Sequence, residues 1–318
     1  MSTYPQKSGL DWPEDKQFAF TIVDDTDRST VANVSAVYEF LHDLGFATTK
    51  TVWPMEPVTQ PRTGGQSLED REYRDWILEL QAKGFEIAMH GIADGSSNRD
   101  RVIAGLSRFA DVLGGTPRIH VNHVGQRECL YWGSERFDGM VRFLYALKQR
   151  LNRSNFGEGS SGHDESSSFF WGDLCLEKIT YVRNLVFEEI NTLKMDSLMP
   201  YHDPRRPYVP YWFSSSDGSG VDRFCHLISE ANQDRLAAEG GACIVYTHLG
   251  STFWEEGKLN QRFKSLMRRL SSLSGWFVPA STLLDYVGER RGWQTVGDRK
   301  QLRRMQRTWL VQKTLRRP

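Results

Sequence analysis

Four apolar runs in this chain lead into acids or imidazoles. FAFTIV, Phe18 to Val23, opens onto Asp24 and Asp25, with Asp27 just beyond. FEIAM, Phe85 to Met89, opens onto His90, with Asp94 four residues later. RIHVN carries His120 and Asn122 and is followed by His123, and ACIVYT is followed by His248. Carboxylates and imidazoles ligate divalent cations and carry protons near neutral pH. If the runs are parallel strands, their carboxyl ends open onto one mouth, and the set has the composition of a metal-assisted hydrolysis site. Each residue alone has a plainer role: an acid after a strand can cap the next helix, and a single His is commonly a hydrogen-bonded structural residue. Four strand ends would all need such an explanation at once.

The elements that must position these residues follow from spacing. Phe18 to Asp25 reads as a buried strand. Val31, Val34, Val37, Tyr38 and Leu41 then recur at helical intervals after Ser29, and Gly45 stops that helix. Strands are expected at Phe46–Trp53, Phe85–Met89, Arg118–Asn122, Ala242–Tyr246 and Trp276–Val278. Helices are expected at Ser67–Lys83, Asn98–Leu113, Phe137–Arg150, Gly172–Thr192, Asp222–Glu239, Leu259–Leu273 and Ser281–Glu289. Residues Asn152 to Ser168 are Gly/Ser-rich and read as loop. Thr192–Ser197 reads as a short strand, and Tyr201–Gly220 as mostly loop with an extended piece at Tyr208–Phe213. Strand–helix alternation of this kind specifies an α/β fold with parallel strands, either a (β/α) barrel or an open doubly wound sheet. No GxGxxG follows the first strand, so nothing supports dinucleotide binding.

The 318 residues, 39% hydrophobic and 25% charged, suffice for a real core and exclude wholesale disorder. No apolar run approaches the roughly 18 residues of a membrane span, and the first residues lack a signal-peptide pattern, so a cytoplasmic location is expected. Four scattered Cys without a CxxC indicate neither a disulfide framework nor a zinc ribbon. Net charge is zero but uneven: residues 290–318 hold ten Lys/Arg and one acid. This basic tail reads as a helix with Leu302, Met305, Trp309 and Leu310 on the body, or as a contact for an anionic surface. No nucleic-acid motif is present.

The chain resembles the polysaccharide deacetylase (NodB-homology, carbohydrate esterase family 4-like) family as a divergent member. TIVDDTD, Thr21 to Asp27, is similar to the family's TFDDG; MHGIAD to its HSxxH, with Asp94 at the second His; and IVYTHLG to its late His segment. KMDS at Lys194–Ser197 and GWFVPASTLLDYV resemble its DSS-type and closing strands. The likeness runs in order from residue 18 to about 289. It implies a distorted (β/α) barrel of about seven parallel strands. One domain would span 1–289, with an inserted loop/helix region at about 124–191, followed by a basic C-terminal helical tail over 290–318. It implies Asp24 as general base, His248 as general acid, and Asp25, His90 and Asp94 as ligands of a divalent metal, zinc by resemblance. The reaction implied is removal of an acetyl group, N-acetyl above all, from a sugar or oligosaccharide, as in surface polysaccharide biosynthesis.

The chain departs from the family at Thr26, where a Gly is usual, at Asp94, and at His120–Gly125, where HVNHVG replaces an RxPY-type stretch. Two carboxylates on one ion would favour Mn²⁺ or Fe²⁺ over Zn²⁺. Alternatively His120 or His123 completes the ligand set, while Asp94 only orients His90. His120, Asn122, His123 and Trp212 are otherwise substrate-binding candidates. Aromatics in the inserted region, Tyr131 and Trp132 among them, suit stacking on sugar rings, and Arg205 and Arg206 suit a carboxylate or phosphate. The competing readings are a glycan-binding barrel without turnover, and a related metal hydrolase acting on another C–N or glycosidic bond.

Overall fold

A computed structural model describes residues 9–151 and 159–315. Residues 152–158 of the expected Gly/Ser-rich loop lie outside the described residues. The first half alternates regularly: β1 (Phe18–Asp24), α1 (Val31–Asp43), β2 (Thr49–Val52), α2 (Arg71–Ala82), β3 (Glu86–Met89), α3 (Arg99–Leu113) and β4 (Ile119–His120). Then come α4 (Gly139–Leu151), α5 (Gly172–Lys178), β5 (Tyr181–Phe187), α6 (Thr192–Met195), β6 (Tyr201–His202) and β7 (Tyr211–Asp217). The chain continues with α7 (Val221–Leu227), α8 (Glu230–Glu239), β8 (Ala242–Thr247), β9 (Trp254–Glu255), β10 (Lys258–Leu259) and α9 (Gln261–Ser271). It closes with β11 (Gly275–Phe277), α10 (Ala280–Arg291), β12 (Gln294–Thr295) and α11 (Lys300–Leu315).

Strands β1, β2, β3, β4, β5, β7 and β8 pair in parallel in that order, and β8 returns to β1 from Ala19↔Ala242 to Asp24↔Thr247. The ring is therefore a closed (β/α) barrel of seven parallel strands, not an open sheet. β11 pairs with the start of β1, while β6 and β12 form a fringe beside β7.

Alternation along β1 determines what its acids can do. Phe18, Phe20 and Ile22 pack with Val34, Val37 and Tyr38 of α1, whereas Ala19 and Val23 belong to the other core cluster. Side chains of a strand alternate between faces, so Asp24 follows the helix-facing set and Asp25 the opposite one. The helices begin and end on local signals: Asn98 accepts the Arg101 N–H at the start of α3, and Gly114 closes it in the left-handed region. All four cysteines are buried and free.

Three expected elements are corrected. The helix expected over Gly172–Thr192 stops at Lys178, and Tyr181–Phe187 is a central barrel strand between β4 and β7. A strand covered on both faces carries apolar residues without a period of two, so pattern alone cannot separate it from a buried helix. Thr192–Met195 is a helical turn, and the Ser-rich stretch before Gly218 is strand β7, its Ser214, Ser215 and Ser216 fully buried.

The tail packs on the barrel. Leu302, Met305 and Trp309 of α11 are buried. At its start, Arg299 pairs with Asp203 at 2.7 Å and with Asp138, and Arg206 pairs with both carboxylates, in a buried four-residue network. Arg206 is thus neutralised inside the fold and does not face a ligand.

Candidate functional site

Where the barrel strands end, a cavity of about 400 Å³ is lined by Asp25, Asp27, His90, Asn122, His123, Arg183 and His248, among others. Asp27 is its hub. Its Oδ1 lies 2.8 Å from His123 Nε2, and its Oδ2 lies 3.1 Å from His90 Nε2 and 3.3 Å from His248 Nε2. Burial would raise this carboxyl, but the three imidazoles outweigh it and hold the group far below the usual carboxylate range.

The rings are set by backbone and packing. Gly91 turns in the left-handed region directly after His90, where a Cβ would meet Gln126 Oε1 at 2.5 Å. The indole of Trp53 lies 6.4 Å from the His90 ring and 6.0 Å from that of His123. With these rings fixed, ligand atoms of Asp27, His90 and His123 lie within 4.8 Å of one another, as do those of Asp25, Asp27 and His248. Two imidazoles and one carboxylate are a donor set that Zn²⁺ and Fe²⁺ both accept, so the residues present fit a divalent ion.

Asp25 is held differently. Arg183 of β5 grips both of its oxygens, at 2.8 Å for Oδ1, and the guanidinium rests 4.5 Å from the centre of the Tyr246 ring. Burial would raise its pKa, yet the charges of Arg183 and His90 keep it lowered, so the group is ionised at neutral pH. His248 anchors Nδ1 on the carbonyl of Ser219 at 2.8 Å. Burial would depress this imidazole, but its bond to Asp27 and the charge of Asp25 raise it to about 9, so it is protonated at neutral pH. The cavity thus carries an ionised carboxylate and an imidazolium on either side of Asp27.

Several expected roles are revised by placement. Asp24 lies on the helix side, where Oδ2 accepts from Lys50 Nζ at 2.7 Å and from Tyr38 at 2.9 Å, and Oδ1 accepts from the Leu249 N–H at 2.7 Å. Its carboxylate is fully buried and does not line the cavity, whereas that of Asp25 does. Asp94 is not among the clustered ligand atoms. Its Oδ2 accepts the N–H groups of Thr63 and Gly64 at 2.6 and 2.8 Å, and Thr63 Oγ1 stands 2.9 Å from Asp27 Oδ1. Asp94 therefore holds the loop that steadies Asp27. His120 is not among the lining residues: its ring stands edge-on to Trp171 at 4.9 Å, its Nε2 lies 3.2 Å from Asn122 Oδ1, and burial lowers it to about 3. Trp212 is buried in the core of β7. Asn122 and His123 line the cavity.

Asp27 and Arg183 were the residues missed. The signal for Asp27 was its parity with Asp25, two positions apart. For Arg183 it was a lone charge inside the apolar run TYVRNLVF, which an α-helical reading turned outward.

Because Asp94 acts through Thr63, Asp94→Ala is expected to weaken metal affinity by about 10–100-fold while leaving all proposed ligands in place. Chelator competition measures this, and an unchanged dissociation constant would remove Asp94 from the site's support. Glu128 is also buried, and burial outweighs the backbone N–H groups of Ser97 and its own residue to push it up to about 7. The native state then binds the proton more tightly than the unfolded chain. The contribution of Glu128 to stability should fall as pH rises from about 4.5 through 7, by about 3 kcal/mol in all. Plotted against pH across this range, urea midpoints of Glu128→Gln should therefore gain relative to those of the wild type; parallel curves would refute the assignment.

No family model matches this chain. No curated protein matches it either. Among solved structures, a protein provisionally named a polysaccharide deacetylase, from Mycobacterium smegmatis, matches 93% of this chain and 99% of its own length, with a TM-score of 0.52 at 12% identity. The Puue allantoinase matches 91% and 96%, with a TM-score of 0.54 at 11% identity. At these identities the likeness shows the fold alone, a (β/α) barrel. Among the described residues no helix is long and apolar enough to cross a membrane.

Proposed function

We propose that this chain is a metal-dependent hydrolase that removes an acetyl group from the nitrogen of an acetylated sugar or oligosaccharide. The observation that carries the reading is the convergence of Asp27, His90 and His123 in one cavity with an Arg-paired Asp25 and a charged His248. Asp27, His90 and His123 would hold the divalent ion. Bound there, such an ion polarises an amide carbonyl and lowers the pKa of water.

The remaining steps belong to the chain's own groups. The Asp25 carboxylate accepts a proton from the attacking water, and Arg183 keeps that carboxylate oriented and ionised until then. His248 delivers its Nε2 proton to the departing amine, and the Ser219 carbonyl fixes the ring through Nδ1. Each group therefore starts in the protonation state its role requires at neutral pH. Asn122, held by the Leu130 backbone N–H at 2.9 Å, offers a polar wall beside the metal ligands. The allantoinase neighbour shares the fold, which keeps hydrolysis of another C–N bond as the alternative reading.

Acetate release from N-acetylated sugars, with Zn²⁺, Mn²⁺ or Fe²⁺ supplied in turn, tests the reading. Release that chelator abolishes and Asp25→Ala suppresses supports it. Sugar binding that persists in chelator, with no product, would select the binding-barrel reading instead.

A further inference from the structure

Four fixed cations, Arg62, Arg136, Arg183 and Lys313, line the cavity against three carboxylates, Asp25, Asp27 and Asp217. Asp25 neutralises Arg183, and Asp217 lies 3.2 Å from Lys313. Arg136 is different. It is buried, 7% exposed, yet no carboxylate lies within ion-pair distance among the described residues. Among the described residues its polar partners are neutral, the Asn184 carbonyl at 3.1 Å from Nη1 and the Tyr145 side chain, and Nε has no partner. The guanidinium lies 4.1 Å from the Trp132 ring centre and 5.4 Å from that of Trp309, and Gln306 of α11 donates to the Arg136 carbonyl at 3.3 Å. Trp132 and Trp309 line the same cavity.

A buried cation without a counter-charge is costly, and a nearby acid is the usual compensation. Asp138 and Asp203 pair with Arg206 and Arg299 instead, and Arg136 keeps only aromatic faces and neutral acceptors among the described residues. Those faces hold the guanidinium plane in place, and a planar fork suits two oxygens of one anion. We propose that Arg136 is a specificity-determining residue that receives an oxyanion of the substrate, so that the cavity takes an acidic sugar, bearing a carboxylate or phosphate, in preference to a neutral one. The proposal rests on the hydrolase reading for the identity of the sugar, but not for the binding of the anion.

The test separates the two. Glucose, glucuronate and glucose 1-phosphate lack an amide and cannot turn over. Their binding to the metal-loaded full chain is measured by calorimetry in the wild type, Arg136→Gln and Arg136→Lys, with folding checked by circular dichroism. At least one anionic sugar should bind the wild type ten-fold or more tighter than glucose. Arg136→Gln should erase that preference, and Arg136→Lys should keep part of it. Comparing the two anions tells carboxylate from phosphate. Equal affinities in the wild type, or a preference that survives in Arg136→Gln, would overturn the proposal. Acetate release from N-acetylglucosamine and its 6-carboxylate is assayed alongside. Release from neither, with the binding preference intact, defeats the hydrolase reading alone. Equal efficiency on both defeats the role of Arg136 alone.

Discussion

Replacing Asp27 with asparagine is expected to abolish metal retention and to lower turnover by about three orders of magnitude. Among the described residues Asp27 is the only carboxylate facing His90, His123 and His248 at 2.8–3.3 Å. An amide oxygen in its place is a much poorer ligand and no longer offsets the charge of an ion. Loss of the cation removes several kcal/mol of transition-state stabilisation, and about 4 kcal/mol corresponds to about a thousand-fold. Metal analysis of the purified variant, with acetate release at saturating metal, measures both effects. A variant that keeps stoichiometric metal would move the centre to other residues. One that loses metal yet keeps its rate would end the metal-dependent mechanism.

The second large effect distinguishes the tandem aspartates. Asp24→Asn is expected to destabilise the fold by about 3–5 kcal/mol, because it strands the ammonium of Lys50, which is fully buried, without its counter-charge. The rate per folded molecule should change little. Neutralising both partners, in Asp24→Asn with Lys50→Met, should recover much of the loss. Asp25→Asn should keep its metal and lose about 10²–10⁴ in kcat, the range for a general base. Its effect on stability should be smaller, since Arg183 borders the cavity and retains its contact with Tyr246. Urea denaturation and kcat on the same preparations give the answer. An Asp24→Asn protein of wild-type stability and no activity would return the base role to Asp24.

The difference between these neighbours was written in β1 and could be read there. Bulky Phe18, Phe20 and Ile22 alternate with smaller Ala19, Thr21 and Val23, and in this barrel the larger set packs with α1. Parity then sends Asp24 with Phe20 and Ile22, and Asp25 and Asp27 with the interior. The family motif alone assigns the base to position 24, because a motif carries no information on which face of the strand a residue lies. Arg183 was less accessible. The run around it has no clean period, and it pairs with Asp25 across 158 positions of chain. The Ser-rich stretch of β7 likewise resembles a loop in composition. It becomes a strand because Ser214 and Ser216 find buried partners in Asp196 and Thr192.

By itself the sequence determined the α/β class, the parallel strands and the strand ends that carry the chemistry. Each of these depends on hydrophobic periodicity and on breakers within a few residues. Only the tertiary structure decided that the sheet closes, that His123 and not Asp94 joins His90 at Asp27, and that Arg183 faces Asp25. These contacts are made between strands far apart in the chain. Ring closure, the turn after each strand and the burial of each charge select them together, and no local pattern encodes that combination.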